Sequence, residues 1–222
     1  MNVTEVRERA KELRLMLLES GLGKEYIDQQ YSCIPWSYHP SPAEPLKLII
    51  LGQDPTIQNP NSREKVKVVL NLDKQNSLKT YLSGITSDLG IEIKKNVYAT
   101  NLLKCFFKEP PAKTKELVAK LSEGWIDLLL EELEAFPNVP ILTLGQPVVE
   151  ALVTCGSKKV REYWGYRPNN QFDPSLFKCS SPRDNRLSRV IIAFPHIRSS
   201  SKEFYKGARP AFTKFVRDTL FP

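Results

Sequence analysis

Apolar residues along the chain follow two patterns, short continuous runs and longer stretches with helical spacing. The short runs predict buried strands over residues 46–51, 97–103, 140–144 and 190–194. The helically spaced stretches predict helices over residues 3–20, 77–89 with Ser77 as the cap, 115–136, 147–153 and 210–220. Because strands alternate with helices, we expect an α/β fold with a central, mostly parallel four-stranded sheet and helices on both faces.

Three segments lack both patterns. Residues 31–45 are rich in Pro, Ser and aromatic residues and predict an ordered loop; residues 53–63 and 158–189 predict loop and mostly irregular structure. The chain contains neither an internal repeat nor a convincing interdomain linker. We therefore expect a single domain over residues 1–222, with residues 1–45 as a helical and loop extension packed on it.

Polar residues follow the predicted strands at their carboxyl ends. These ends are Gly52-Gln53-Asp54-Pro55, Asn101, Gly145-Gln146-Pro147 and Pro195-His196. Ligands bind beyond the carboxyl ends of parallel strands, so an acid, an amide and an imidazole are expected at one edge. Each has a structural alternative, because Asp54 could open a turn, Asn101 could cap the next segment and His196 could be a core histidine.

Composition narrows the classes of function. The chain carries 32 Lys plus Arg against 25 Asp plus Glu, a net charge of +7, which fits either a solvated surface or a nucleic-acid partner. The charged first residues do not resemble a signal peptide, and no apolar run approaches the ~20 residues of a membrane helix. The four cysteines are scattered and predict reduced thiols. We expect an intracellular protein, in the cytoplasm or nucleoid, or in the nucleus of a eukaryote.

Several enzyme templates are absent from the sequence. It contains no phosphate-loop motif, no dinucleotide-binding glycine motif and no nucleophile-elbow serine motif. With only two histidines and no Cys-x-x-Cys pair, neither a metal site nor an iron–sulfur cluster is expected. The predicted edge therefore suggests acid–base or electrostatic chemistry without a cofactor.

Five segments, in order, resemble the uracil-DNA glycosylase superfamily. They are residues 46–55 (LKLIILGQDP), 71–89, 97–125 (VYATNLLKCFFKEPPAKTKELVAKLSEGW), 141–152 (ILTLGQPVVEAL) and 190–207. The Gly-Gln-Asp-Pro motif alone is weak, but its place after a strand and the order of the other segments make the likeness specific. The resemblance spans about residues 46–215 and implies a single-domain glycosylase fold.

The resemblance implies a role for each matching residue. Asp54 would orient the attacking water and stabilise the cationic sugar, and His196 would donate a hydrogen bond to the departing base. Gln53, through its backbone, and Asn101 would contact the base, and Thr56 stands at the position that walls the pocket. The implied contacts to the DNA backbone are Ser77, Gly145, Gln146, Arg198, Ser199 and Ser200. The implied reaction needs no metal and no nicotinamide, and the expected protein is a monomer.

The sequence departs from the family pattern at four places. Thr56 and Ile57 replace the Tyr and His that usually follow the Pro, and the Tyr normally excludes thymine. The last motif is His196-Ile197-Arg198-Ser199 rather than His-Pro-Ser-Pro. The leucine that fills the gap left by the everted base falls near Ser200, with Phe204 or Tyr205 as possible substitutes. Residues 66–69 offer no aromatic to stack on the base.

One further match to the last motif is interpreted as a coincidence. His39-Pro40-Ser41-Pro42 spells that motif, but it precedes the first strand and does not follow an apolar run.

The sequence leaves several functions open. The leading hypothesis is excision of uracil from single- or double-stranded DNA by a monofunctional glycosylase, with no lysine placed for strand cleavage. Thr56 motivates a second hypothesis, in which a 5-modified pyrimidine or a deaminated purine is released. The altered last motif motivates a third, a catalytically silent DNA-binding homologue. An unrelated α/β nucleotide-binding protein is disfavoured by the missing phosphate loop.

Overall fold

Strands form at all four predicted apolar runs. The computed structural model describes residues 3–29, 35–39, 44–55, 57, 59–114 and 116–221. The strands are β1 (Leu48–Gly52), β2 (Val97–Asn101), β3 (Ile141–Leu144), β4 (Trp164–Tyr166), β5 (Phe172–Phe177) and β6 (Ile191–Phe194). The helices are α1 (Val3–Glu19), α2 (Gly21–Tyr26), α3 (Pro60–Arg63), α4 (Ser77–Asp88), α5 (Ile93–Asn96), α6 (Leu117–Leu121), α7 (Glu123–Leu133), α8 (Gln146–Leu152), α9 (Val160–Tyr163), α10 (Ile197–Ser200) and α11 (Glu203–Leu220).

The central sheet has four strands in the order β2-β1-β3-β6, and every pair is parallel. Gly52 of β1 lies opposite Asn101 of β2, and Leu144 of β3 lies opposite Phe194 of β6. All residues of these strands are buried, as expected for a parallel sheet covered on both faces. The predicted fold class is confirmed, and all four carboxyl ends lie at one edge.

Two apolar layers cover the two faces of the sheet. Because successive strand residues point to opposite faces, Leu48 and Ile50 pack in one layer and Ile49 and Leu51 in the other. Helices α4 and α11 contribute to the first layer, while α1, α6 and α7 contribute to the second. None of the helices in the described part of the chain is both long and apolar enough to cross a bilayer.

Two predicted helices were wrong in extent. The single helix predicted over residues 115–136 is two, α6 and α7, which meet at the fully buried Ser122. The Ser122 hydroxyl donates to the Ala119 carbonyl at 2.8 Å, so the side chain competes locally for backbone groups. The last helix begins at Glu203 rather than Pro210 and contains that proline in its interior. Its amphipathic spacing and packing against the sheet outweigh the lost backbone donor.

The cap predicted for α4 was also wrong. The helix begins at Ser77, but the capping side chain belongs to Asn76, whose amide oxygen accepts from the Lys79 N–H at 2.8 Å. Both residue types are good caps, and the sequence pattern did not distinguish them.

Residues 158–189 are more ordered than predicted. They contain α9 and an antiparallel pair formed by β4 and β5. The exposed pattern of β5 hid this pair, since only its last residue, Phe177, packs on Phe212 of the core. The Tyr166 hydroxyl of β4 donates to the Phe204 carbonyl at 3.0 Å, which ties the pair to the start of α11.

The described part of the predicted 31–45 loop covers the outer edge of β2. Tyr38 and Ala99 exchange two backbone hydrogen bonds at 2.8 and 2.9 Å. The Trp36 N–H donates to the Lys67 carbonyl at 2.8 Å, and the Val69 N–H donates to the Trp36 carbonyl at 2.9 Å. This short stretch therefore protects the sheet edge that lies nearest to Asn101.

Candidate active site at the carboxyl edge of the sheet

The Asn101 side chain lies across Gly52 of the neighbouring strand. A Cβ atom added to Gly52 would fall 2.4 Å from Asn101 Oδ1 and 2.8 Å from Leu70 Cδ2, both closer than atoms can pack. A glycine at the end of β1 is therefore what allows the Asn101 amide to fold over the strand. The close approach places the amide directly beside the turn that carries Gln53 and Asp54.

The Asn101 amide oxygen is buried without a hydrogen-bond partner among the described residues. Asn101 is only 1% exposed. A buried acceptor that loses its hydrogen bond costs about 1–3 kcal/mol, so such atoms usually have a partner in native structures. An unpartnered amide oxygen at this edge is expected if a ligand supplies the missing donor, so Asn101 is a candidate ligand contact.

Asp54 is buried at the end of the adjacent strand, at 7% exposure. The Gln53 side-chain amide donates to Asp54 Oδ1 at 2.5 Å, which orients the carboxylate. The Gln53 backbone carbonyl accepts from the Leu103 N–H at 2.8 Å, so it is tied to the segment after β2. The segment that carries Asp54 is thus fixed to the strand that carries Asn101.

Leu70 is a site residue that sequence analysis missed. Its backbone has the left-handed values φ 56° and ψ 11°, and its side chain reaches Gly52 beside Asn101. Such a conformation costs on the order of 1–3 kcal/mol for a residue with a side chain and often occurs at functional sites. Leu70 directly follows the 66–69 segment searched for an aromatic, but nothing in its apolar character distinguishes it from core.

Arg63 anchors the loop that follows Asp54. It is 2% exposed, forms an ion pair with Asp28, and donates to the Ile57 carbonyl at 2.5 Å and the Phe107 carbonyl at 2.8 Å. One buried guanidinium therefore joins the loop after β1 to the loop after β2. Thr56, predicted to wall the pocket, lies outside the described residues.

The β3 and β6 ends carry His196 beside Gly145. Gly145 has φ +92°, a value that disfavours other residues, and a Cβ added to it would lie 3.4 Å from the His196 Cβ. The Gly145 N–H donates to the Phe194 carbonyl at 2.8 Å. The Tyr81 hydroxyl of α4 donates to the Pro195 carbonyl at 2.8 Å, which secures the start of the histidine loop.

The His196 ring is held in one tautomer. Its Nδ1 accepts from the Arg198 backbone N–H at 3.3 Å, so in the neutral ring Nε2 carries the proton. Desolvation of the ring, and secondarily the nearby charge of Arg198, lower the pKa of His196 below its ordinary value. The ring is thereby favoured in the neutral form, with its N–H donor at Nε2.

Five of the six predicted phosphate contacts are exposed or half-buried, while Gly145 is buried. Ser77, Gln146 and Arg198 are exposed, and Ser199 and Ser200 are half-buried in α10. The Gln146 amide donates to Glu150 at 2.7 Å, and the Ser200 hydroxyl donates to the Ile197 carbonyl at 2.6 Å. These two side chains are therefore engaged within the protein, while the Gly145-Gln146 turn opens α8.

Two side chains considered in the sequence lie elsewhere. Tyr205 is 7% exposed, and its ring centroid lies 5.1 Å from that of Trp164, so it packs in the core and is not placed to enter DNA. The His39 ring lies 5.8 Å from both Tyr98 and Phe136, beside the middle of β2 rather than its carboxyl end. Pro40, Ser41 and Pro42 lie outside the described residues.

The described residues form an α/β fold with a candidate ligand site at the carboxyl edge of its parallel sheet. The family model described as "Uracil DNA glycosylase superfamily" matches residues 39–219, most of the chain. The chain belongs to this superfamily. A search of curated proteins found no match to the chain.

Proposed function

We propose that this protein is a monofunctional DNA glycosylase that hydrolyses the N-glycosidic bond of uracil in DNA and leaves an abasic site. The observation that carries the proposal is the buried, unpartnered amide oxygen of Asn101 at the same edge as Asp54 and His196. A base inside a duplex cannot be reached, so the nucleotide rotates out of the stack into this edge. The N–H of the uracil imide supplies the donor that Asn101 Oδ1 lacks.

Asp54 acts at the sugar. Breaking the bond between the base and C1′ leaves the electron pair on the base and positive charge on the sugar. The Asp54 carboxylate, oriented by Gln53, stabilises this cation and takes a proton from the water that attacks C1′. An acid fixed before the substrate arrives stabilises the transition state more than the ground state.

His196 acts at the base. The departing pyrimidine carries negative charge on its oxygens, and a neutral imidazole with its proton on Nε2 donates a hydrogen bond to one of them. The lowered pKa of His196 and the Nδ1 contact to the Arg198 backbone both favour this form. Asn101 and His196 thus form hydrogen bonds with the base, while Asp54 stabilises the sugar cation.

The DNA backbone binds to the protein surface around the carboxyl edge of the sheet. Arg198 contributes charge, and Ser77 and Ser199 contribute hydroxyl donors, whereas the Ser200 hydroxyl already donates to the Ile197 carbonyl. At the Gly145-Gln146 turn, the Gln146 backbone N–H at the start of α8 is the group offered to the phosphate, because the Gly145 N–H already donates to the Phe194 carbonyl. The excess of positive charge on the chain favours such a partner.

The test is a panel of oligonucleotides that each carry one altered base, offered as single and double strands. We expect release of uracil, with an abasic site that alkali cleaves and the protein alone does not. Release of no base, together with salt-sensitive DNA binding, would identify a silent DNA-binding homologue and overturn the proposal.

A second candidate is release of a larger base, and one observation favours it. Threonine stands at position 56, where the family resemblance implies a larger tyrosine that excludes thymine, so a 5-substituent is not expected to be excluded by this residue. In the same panel, release of a 5-modified pyrimidine or a deaminated purine with uracil untouched would establish this candidate instead.

A further inference from the structure

A buried cluster of charged and hydroxyl groups lies directly behind Asn101. Lys104 and Glu132 are 5% and 2% exposed, and Lys104 Nζ lies 2.6 Å from Glu132 Oε2. Glu132 also accepts from the Tyr98 hydroxyl at 2.5 Å and from the Ser37 hydroxyl at 2.7 Å. A buried ion pair is often no more stable than apolar residues of similar volume, so stability alone does not explain it.

The Lys104 ammonium group contacts the strand end that carries Asn101. It donates to the Asn101 backbone carbonyl at 3.0 Å and to the Thr100 hydroxyl, in addition to its pair with Glu132. An ammonium group has three N–H donors, and these three partners use them all. Lys104 is therefore engaged as a structural cation rather than as a free amine that could attack the sugar.

These contacts fix the residue whose amide faces the ligand. Beyond Asn101 the chain leaves the sheet, and the Leu102 N–H still pairs with the Gly52 carbonyl at 2.9 Å. The Lys104 ammonium group donates to the Asn101 backbone carbonyl, and Glu132 on α7 forms an ion pair with the same ammonium group. Asn101 and Lys104 also line one cleft together with Trp36 and Arg7, and the Arg7 guanidinium carbon lies 4.4 Å from the centroid of the Trp36 ring.

We propose that Lys104 and Glu132 are positioning residues that hold the Asn101 peptide, and through it the Asn101 amide, in the place where the everted base is recognised. The inference rests on the proposed function, because it assigns Asn101 to the base. A displacement of about 1 Å at such a group can cost up to roughly 100-fold in rate, so rigid support has a direct catalytic value.

The test neutralises the pair without leaving a buried charge. In the double variant Lys104→Met/Glu132→Gln, the new amide keeps an oxygen for Tyr98 and Ser37, and methionine fills the space of the lysine stem. We expect this variant to fold, with kcat/KM on a single-stranded oligonucleotide containing one deoxyuridine reduced roughly 10- to 100-fold.

The matched control is Tyr98→Phe, which removes a hydrogen bond to Glu132 but leaves the Asn101 carbonyl contact intact. We expect it to lower the thermal midpoint and to leave kcat/KM near the wild-type value. Equal loss of activity in the control and the double variant would show a merely structural role and overturn the proposal.

A cycle with Asn101→Ala separates the two proposals. If Lys104 and Glu132 act through Asn101, their neutralisation changes nothing further once the amide is gone. Additive losses would overturn the positioning role. An Asn101→Ala variant as active as wild type would instead overturn the role of Asn101 in the proposed function.

A measurement on the free protein does not depend on activity. The side-chain amide signals of Asn101 are identified in a ¹H–¹⁵N spectrum as those missing from Asn101→Ala. We expect them to shift or broaden in the double variant and to stay in place in Tyr98→Phe. Unchanged signals in the double variant would overturn the proposal even if no base were released.

Discussion

The two halves of the sheet edge are built differently. On the β1–β2 side, Asp54 and Asn101 are buried, and the chain around them is held by the buried side chains of Arg63 and Lys104. On the β3–β6 side, His196 caps the short helix α10 and Arg198 lies within it; both residues present surface to solvent, although the His196 imidazole is partly desolvated. Under the proposed function, the buried half receives the base and sugar, and the exposed half supplies the His196 donor to the base and Arg198 to the charged backbone.

This contrast makes Asp54 the position of largest expected effect. Asp54→Asn keeps the size of the side chain but removes the charge that stabilises the cationic sugar. We expect turnover to fall roughly 10²- to 10⁴-fold, while affinity for DNA survives. Single-turnover assays and binding titrations on the same oligonucleotide measure the two quantities. Unchanged turnover would remove Asp54 from the mechanism.

The next largest effect is expected at Arg63, which stabilises the buried half of the sheet edge. Arg63→Met removes the ion pair with Asp28 and the guanidinium hydrogen bonds to the carbonyls of Ile57 and Phe107. We expect the free energy of unfolding to fall by about 3–5 kcal/mol, measured by denaturant titration. Arg186→Met, which breaks an exposed pair with Glu123, is the control and should change stability little. Equal effects would mean that the burial of Arg63 is unimportant.

On the exposed half, Arg198 should affect binding more than chemistry. Arg198→Gln removes one cation beside the histidine loop, so we expect weaker DNA binding and a slope of log K against log salt that is smaller by about 1. Ser199→Ala is the matched variant, because it removes a neutral hydrogen bond and should leave the slope unchanged. If Arg198→Gln leaves the slope of log K against log salt unchanged, Arg198 does not contact a DNA phosphate.

The smallest expected effect is a shift in pH dependence. The neutral form of His196 is the active one, so activity should fall as the pH drops through its lowered pKa. Arg198→Gln removes a cation that disfavours the imidazolium form, which raises the pKa of His196. The acid limb of kcat/KM should therefore move to higher pH. A limb that stays in place, or is absent, would assign the titration to another group.

The sequence predicted the buried strands well because their signal is local. The runs around Ile50, Ala99, Leu142 and Ile192 are short, mostly apolar, and end near turn or polar residues. Parallel strands have their carboxyl ends at the same edge of a sheet. The sequence alone could therefore place Asp54, Asn101 and His196 at one edge. The order of the strands and helices was enough to predict the shared edge, whereas the proposed roles of the three residues came from the family resemblance.

The missed features depend on contacts between distant residues. Leu70 is an ordinary apolar residue until its left-handed backbone turns it toward Gly52. Lys104 and Glu132 each fit a solvated helix or loop surface, and only the folded chain brings them together behind Asn101. The sequence pattern is compatible with Ser122 inside one long helix. Only the structure shows that its hydroxyl donates to the Ala119 carbonyl where α6 and α7 meet.

The pairing of Tyr38 with Ala99 has a consequence for how the chain can be shortened. The family match begins at residue 39, so a fragment cut to that boundary would lose this pairing and the Trp36 contacts. The outer backbone groups of β2 would then be open to a strand from another molecule, the usual origin of edge-to-edge aggregation. We therefore expect a fragment that begins at residue 39 to aggregate more readily at high concentration than the full chain.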